Sequence, residues 1–245
     1  MREMIPKIFL IFGLIIAVPG GAQAIKLEEL FNDESIIAGD KVFDSWYLGS
    51  YDTSDTRILN ASNIDITPLN DGGLNPGPGL DFSVSNGELS VTGNGIYNFV
   101  DLMFGFRVSA IDPLLGIKDV SLELVGFLIY SLDESNNLGF SVTETIGTSQ
   151  GANDLATNFA EYSVLTDEVG ENFVDNAVNS VDFSPFSEIW VTKNILVWAV
   201  DETDTAVMQG FEQRFSQEVI PEPSTVVLML LGLVGLVAVG RRKLK

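Results

Sequence analysis

Cysteine and histidine are both absent from the 245 residues. Without cysteine the chain can form no disulfide, no thiol nucleophile and no thiolate metal site. Without histidine it has no Ser-His-Asp or Cys-His catalytic arrangement and none of the common zinc sites. Positive charge is scarce as well: 13 basic residues stand against 34 acidic ones, a net charge of −21. A surface of that sign cannot displace counterions from phosphates, which excludes nucleic acid as a partner. Apolar residues, by contrast, make up 46% of the chain, enough for a packed core. The length suits one all-β domain, or at most two small ones.

Long apolar runs occur only at the two ends. At the first, residues 1–24 read as a secretory signal peptide. Arg2 and Lys7 supply the positive start, and an 11-residue apolar stretch covers residues 8–18. Pro19-Gly20-Gly21 breaks the helix, and Ala22-Gln23-Ala24 forms an A-x-A site at which signal peptidase would cut. As a helix the stretch reaches only ~16 Å, too short for a bilayer core.

At the other end, Pro221-Glu222-Pro223 precedes an apolar run over residues 226–240, and Arg241, Arg242, Lys243 and Lys245 follow it. The run would measure ~22 Å as a helix, slightly short for a span, with Arg and Lys side chains snorkelling to the interface. The expectation is a transmembrane helix over 224–240 with a basic stop cluster at 241–245. The positive-inside rule keeps that cluster in the cytoplasm and the acidic body outside. The two prolines hold the preceding segment extended, so Glu222 stands at a defined height above the membrane.

A Pro-Glu-Pro, a short apolar helix and a terminal Arg cluster, in that order, resemble the PEP-CTERM sorting signal of bacterial exported proteins. The resemblance covers 221–245, about a tenth of the chain. It implies that an exosortase, a membrane-embedded cysteine transpeptidase-like enzyme, reads the tail and cuts near the motif. Pro221, Glu222 and Pro223 would then be recognition residues, with Arg241, Arg242 and Lys243 holding the tail in place. It also implies delivery to the cell envelope or beyond, anchored at least in transit, where the bacterium makes extracellular polysaccharide. Ala38-Gly39-Asp40-Lys41 ahead of an aromatic strand is similar to domains found before this tail, and names no activity.

The body between the signals, residues 25–220, holds 32 acidic and 7 basic side chains, a net charge near −25. The acids are scattered, as on a solvated surface. Periodicity predicts strands. Val100, Leu102, Phe104, Phe106, Val108 and Ala110 alternate with polar or small residues over most of one strand. Asn86-Gly87, between Phe82/Val84 and Leu89/Val91, predicts a hairpin. Leu122 to Ile129 is apolar on both faces and predicts a central strand. Ile189/Val191 and Ile195/Val197/Ala199 predict two strands joined at Thr192-Lys193-Asn194. Residues 26–31 predict one helical turn; 71–79 and 148–158 predict long loops. With no long helical pattern between the strands, the expected fold is a single antiparallel β-sandwich of jelly-roll or Greek-key kind.

Chemistry is thin. Carboxylate pairs are the general acid–base groups left without histidine, and no spacing singles one out, so a non-enzymatic protein with no catalytic residue is expected. Calcium would suit the Asp- and Asn-rich clusters at Asn70-Asp71, 133–137 and 201–204. None has calcium-loop spacing, and turns require the same residues, so no metal ligand is assigned. Trp46, Trp190 and Trp198, with Tyr47 and Tyr51, are candidates for stacking on sugar rings if exposed. Two readings result: an exported structural or matrix protein without enzymatic activity, or a carbohydrate-binding β-sandwich that contacts extracellular polysaccharide, with or without structural calcium.

Overall fold

Apolar residues at alternate positions give each strand one face to bury, and burying them requires a second sheet. The computed structural model describes residues 23–131, 137–167 and 170–220 and shows that arrangement. In chain order it contains β1 (Ile25–Lys26), helix α1 (Leu27–Leu30), β2 (Ile36–Ala38), β3 (Lys41–Thr53) and a 3-10 turn (Ala61–Asn63). There follow β4 (Ile64–Leu69), β5 (Gly79–Val84), β6 (Ser90–Thr92), β7 (Asn98–Ala110), β8 (Leu115–Tyr130) and β9 (Asn137–Gly147). The last are β10 (Ala156–Asp167), β11 (Gly170–Asn176), β12 (Val178–Phe186), β13 (Glu188–Ala199) and β14 (Thr205–Val219).

The strands form two antiparallel sheets of seven. The first runs β1-β4-β5-β14-β8-β12, with β6 also on β14; the second runs β11-β10-β9-β13-β7-β3-β2. From β6 onward the chain crosses repeatedly between sheets, so most pairings join residues far apart in sequence. The expected all-β, two-sheet antiparallel fold is present, and the one helical turn at 27–30 buries Leu27 and Leu30. The signal-peptide region before Gln23 and the tail from Pro221 lie outside the described residues. Among the described residues, no helix is long and apolar enough to cross a membrane.

The core is aromatic. Phe82 stacks on Phe211 at 4.3 Å and 13°, both from the first sheet. Trp46 stacks on Phe106 at 4.4 Å within the second sheet, and Phe82 meets Phe104 between sheets at 5.9 Å. Each such side chain, removed from water, contributes about 1.5–3 kcal/mol before the entropy of ordering it is counted.

Three strand expectations are corrected. Asn86 (φ +54) and Gly87 (φ +67) do form a tight turn, closed by Glu88 N–H to the Ser85 carbonyl at 3.2 Å. The strands on either side do not pair with each other, however. Both β5 and β6 pair with β14, so the turn is an excursion between two segments along one long partner.

The second correction concerns β8. It has neighbours on both sides, β14 and β12, but its two apolar faces are not both buried. Leu122 and Leu124 face the core, and register shifts where Gly126 meets Gly210 turn Phe127 and Ile129 inward beyond them. Val125 and Leu128 are left exposed. An irregular ladder re-aims a strand without changing its composition.

The third is β13, one unbroken strand. Ile189, Val191, Lys193, Ile195, Val197 and Ala199 all point inward and are buried. Lys193, which reads as a turn residue, occupies a core position because Glu144 on β9 stands opposite it. In the same way Asn158, assigned above to a loop, is a buried residue of β10.

Candidate functional site

The alternation that buries one side of β13 presents Trp190, Thr192, Asn194, Leu196 and Trp198 on the outer face of the second sheet. The two tryptophans are eight positions apart, about 26 Å at about 3.3 Å per residue. Both rings are half-buried. Thr192, Asn194 and Leu196 lie between them, opposite Gly105, Met103 and Asp101 of β7 and Thr145, Thr143 and Ser141 of β9. The floor between the rings is therefore small and mostly polar.

Glycine allows the aromatics to lie against the sheet. A Cβ on Gly105 would fall 2.6 Å from the Tyr47 ring, so that ring lies on the bare backbone. The Tyr47 and Thr192 hydroxyls are hydrogen-bonded at 2.7 Å, and the Trp190 centroid is 6.4 Å from that of Tyr47. At the other end, a Cβ on Gly139 would fall 2.8 Å from Trp198 Cζ2. Phe99 stands opposite Trp198 in the ladder and stacks with the half-exposed Tyr97 at 5.7 Å and 30°. Aromatic groups thus mark both ends of one outward-facing strip.

Trp46 does not join them. It is 7% exposed, stacked on Phe104 and Phe106, and its indole N–H donates to the Phe43 carbonyl at 3.3 Å. The cause is a β-bulge. Ser45 adopts φ +55, and Ser45 and Trp46 together occupy the space opposite Phe106. Simple alternation from the buried Phe43 would put Trp46 outside and Tyr47 inside; the bulge exchanges them. Tyr51 also faces inward, and its hydroxyl is buried without a hydrogen-bond partner.

Charge on the face is fixed by pairing. Arg107, opposite Trp190, donates to both oxygens of Asp44 at 2.8 and 2.9 Å. That hydrogen bonding holds the Asp44 carboxyl below the usual carboxylate range. Asn194 donates to Asp101 at 2.6 Å. Tyr97 and Phe99 have the i, i+2 spacing that would place them on one strand face, a signal the sequence reading did not use.

A separate cavity of about 490 Å³ opens beside α1, lined by Phe31, Leu48, Tyr51, Arg57, Ile58 and Leu59. Apart from the Tyr51 hydroxyl, its charged groups are already engaged. Arg57 grips Asp55, whose pKa that hydrogen bond lowers to about 2, and Ser62 donates to Glu28. A ligand site of this size ordinarily offers a few free, convergent polar groups.

The described calcium candidates are in part otherwise occupied, although Asp204 Oδ1 is buried without a hydrogen-bond partner. Asn70 accepts the Gly39 N–H at 2.9 Å, and Asp71 pairs with Arg214 at 3.0 Å. Asp204 is buried and accepts the Asn137 N–H at 3.2 Å. Among the described residues, no group of three acidic, histidine or cysteine side chains is placed to hold a metal. Residues 133–136 of the remaining cluster lie outside the described residues, as do Ala22, Pro221, Glu222, Pro223, Arg241, Arg242 and Lys243. Ala24, the other half of the A-x-A site, is exposed just before β1.

Residues 219–243 match the PEP-CTERM protein-sorting motif. The chain carries a PEP-CTERM sorting signal. The motif implies an exported protein sorted by an exosortase. No curated protein matches the chain. Among the solved structures that resemble it at low similarity are two carbohydrate-binding modules. One is the carbohydrate-binding module TmCBM27, studied for specific mannan recognition: 9% identity, 79% of this chain and 96% of that one, TM-score 0.28. The other is TmCBM61 in complex with beta-1,4-galactotriose: 11% identity, 72% and 89%, TM-score 0.23.

Proposed function

We propose that this PEP-CTERM protein is a non-enzymatic component of the bacterial surface or extracellular matrix, and that its β-sandwich holds polysaccharide on the outer face of the second sheet. The observation that carries the reading is the outward strip bounded by Trp190 with Tyr47 and by Trp198 with Phe99. Flat rings seated on glycine present one apolar face outward and bind sugar faces at little conformational cost. Thr192, Asn194 and Thr143 between them offer hydroxyl and amide groups for a chain of sugars lying along β13.

Charge narrows the ligand. A body near −25 repels uronate- and sulfate-bearing polymers and tolerates neutral or amine-bearing ones. In this reading signal peptidase releases the chain at Ala24, the 224–240 helix holds it in the inner membrane with the basic cluster inside, and exosortase processes it at the Pro-Glu-Pro.

The test is retention of the exported domain on neutral matrix polysaccharide in native affinity gels, for the native sequence, Trp190→Ala, Trp198→Ala and the double variant. Each single change is expected to weaken retention at least tenfold, and the double change to abolish it, with melting temperatures close to the parent. Full retention by a folded double variant would discard the sugar-binding reading and leave a purely structural matrix role.

A further inference from the structure

Lys193 and Glu144 face each other across β13 and β9, forty-nine residues apart in sequence, with neither side chain reaching solvent. Lys193 Nζ and Glu144 Oε1 are in direct contact. The surroundings are aromatic: Nζ lies 4.7 Å from the centroid of Phe211 and 5.6 Å from that of Phe82. A charged pair persists in such a place only when its remaining donors and acceptors are also satisfied.

They are not. The second carboxylate oxygen, Glu144 Oε2, is buried with no hydrogen-bond partner. From the facing sheet Gln213 is fully buried too, and neither of its amide atoms has a partner. Desolvation lowers the Lys193 pKa, outweighing the attraction of Glu144. A desolvated amine with a free lone pair is a nucleophile, and one fixed against a carboxyl group needs no further encounter to react.

We propose that Lys193 and Glu144 are joined by an intramolecular amide, a covalent cross-link between two central strands of the second sheet. Proton transfer within the pair first gives the neutral amine and the neutral acid. The Nζ lone pair then attacks Glu144 Cδ, the bond from Cδ to the hydroxyl oxygen breaks, and that hydroxyl leaves with an amine proton as water. Nothing is oxidised or reduced. The product has one N–H and one C=O where the ion pair had three N–H donors and two oxygens, so fewer buried polar groups lack partners. It also closes a long loop in a protein that has no cysteine to do so, restricting the unfolded chain as a disulfide would.

The experiment is the intact mass of the processed protein under denaturing conditions, followed by peptide mapping with trypsin and a glutamyl endopeptidase together, because no tryptic site separates Glu144 from Lys193. The expected mass is one water below the value its sequence requires. Cleavage after Lys193 should be lost, and glutamyl cleavage at Glu161 and Glu188 should leave Lys193 and Glu144 together in one branched peptide. Lys193→Met should restore the full mass; if that variant does not fold, the mass and branched peptide of the native sequence decide by themselves. A full mass with trypsin cutting freely after Lys193 would overturn the proposal. So would a loss of ammonia mapped to the buried Asn158, or a water lost within a linear peptide.

Discussion

The hydroxyl of Tyr47 on β3 meets that of Thr192 on β13 at 2.7 Å, reaching across the intervening strand over Gly105. One hydrogen bond thereby fixes the ring beside Trp190 and sets one end of the outer strip. Tyr47→Phe keeps the ring and removes the bond. It should cost about 0.5–1.5 kcal/mol. Thermal denaturation should show a fall of a few degrees, and polysaccharide retention should weaken without disappearing.

Trp46 and Trp198 should separate stability from binding. Trp46→Ala removes a ring packed on Phe104 and Phe106 and is expected to cost about 3–5 kcal/mol. Whatever remains folded should bind as the parent does. Trp198→Ala should do the reverse, with binding weakened at least tenfold and stability nearly kept. Urea titration beside affinity gels distinguishes the two patterns, and equal destabilisation by both changes would contradict the placement of Trp198 on the outer face.

Acid should act through Asp44. Its pKa is lowered in the folded protein by hydrogen bonding from Arg107, so the pair's contribution is fully present above the unfolded carboxylate value of about 4. The contribution is lost as pH falls through the lower folded value. Melting temperature should therefore stay level from pH 7 to about 5 and decline below about 4. Arg107→Gln should flatten part of that decline; an unchanged acid profile would remove Asp44 from the account.

Sorting should depend on Glu222. In the native host, the parent is expected to lose the segment after the Pro-Glu-Pro and to appear beyond the inner membrane. Glu222→Ala should retain the tail and accumulate at the membrane. Intact mass and fractionation of both proteins check this, and identical processing would mean that Glu222 is not read.

Much of the architecture was legible in residue order. Strict alternation from Val100 to Val108 predicts a one-sided strand, and each of those apolar residues is buried in β7. The Asn86-Gly87 turn was legible because both residues tolerate positive φ; its use as an excursion was not, since that depends on β14, more than a hundred residues later. Gly126 carries no mark showing that the ladder shifts there and re-aims β8.

The site divides along the same line. Trp190 and Trp198 lie an even number of residues apart, but the turn expected at Thr192-Lys193-Asn194 separates them, and only the unbroken β13 puts both on one face. Trp46 is turned inward because a local bulge at Ser45 reverses the alternation, and a single-residue change in φ leaves no periodic signature. The buried Lys193 reads as a turn because a charge belongs inside only when its partner is known, and Glu144 is brought opposite by strand pairing. Sequence by itself determined the acidic charge, the absence of thiol and imidazole chemistry, the sorting signal and the β periodicity, because composition and short-range spacing carry them. Tertiary structure alone decided which aromatics face outward and which charges share the core, because register and bulges set those relations between distant strands.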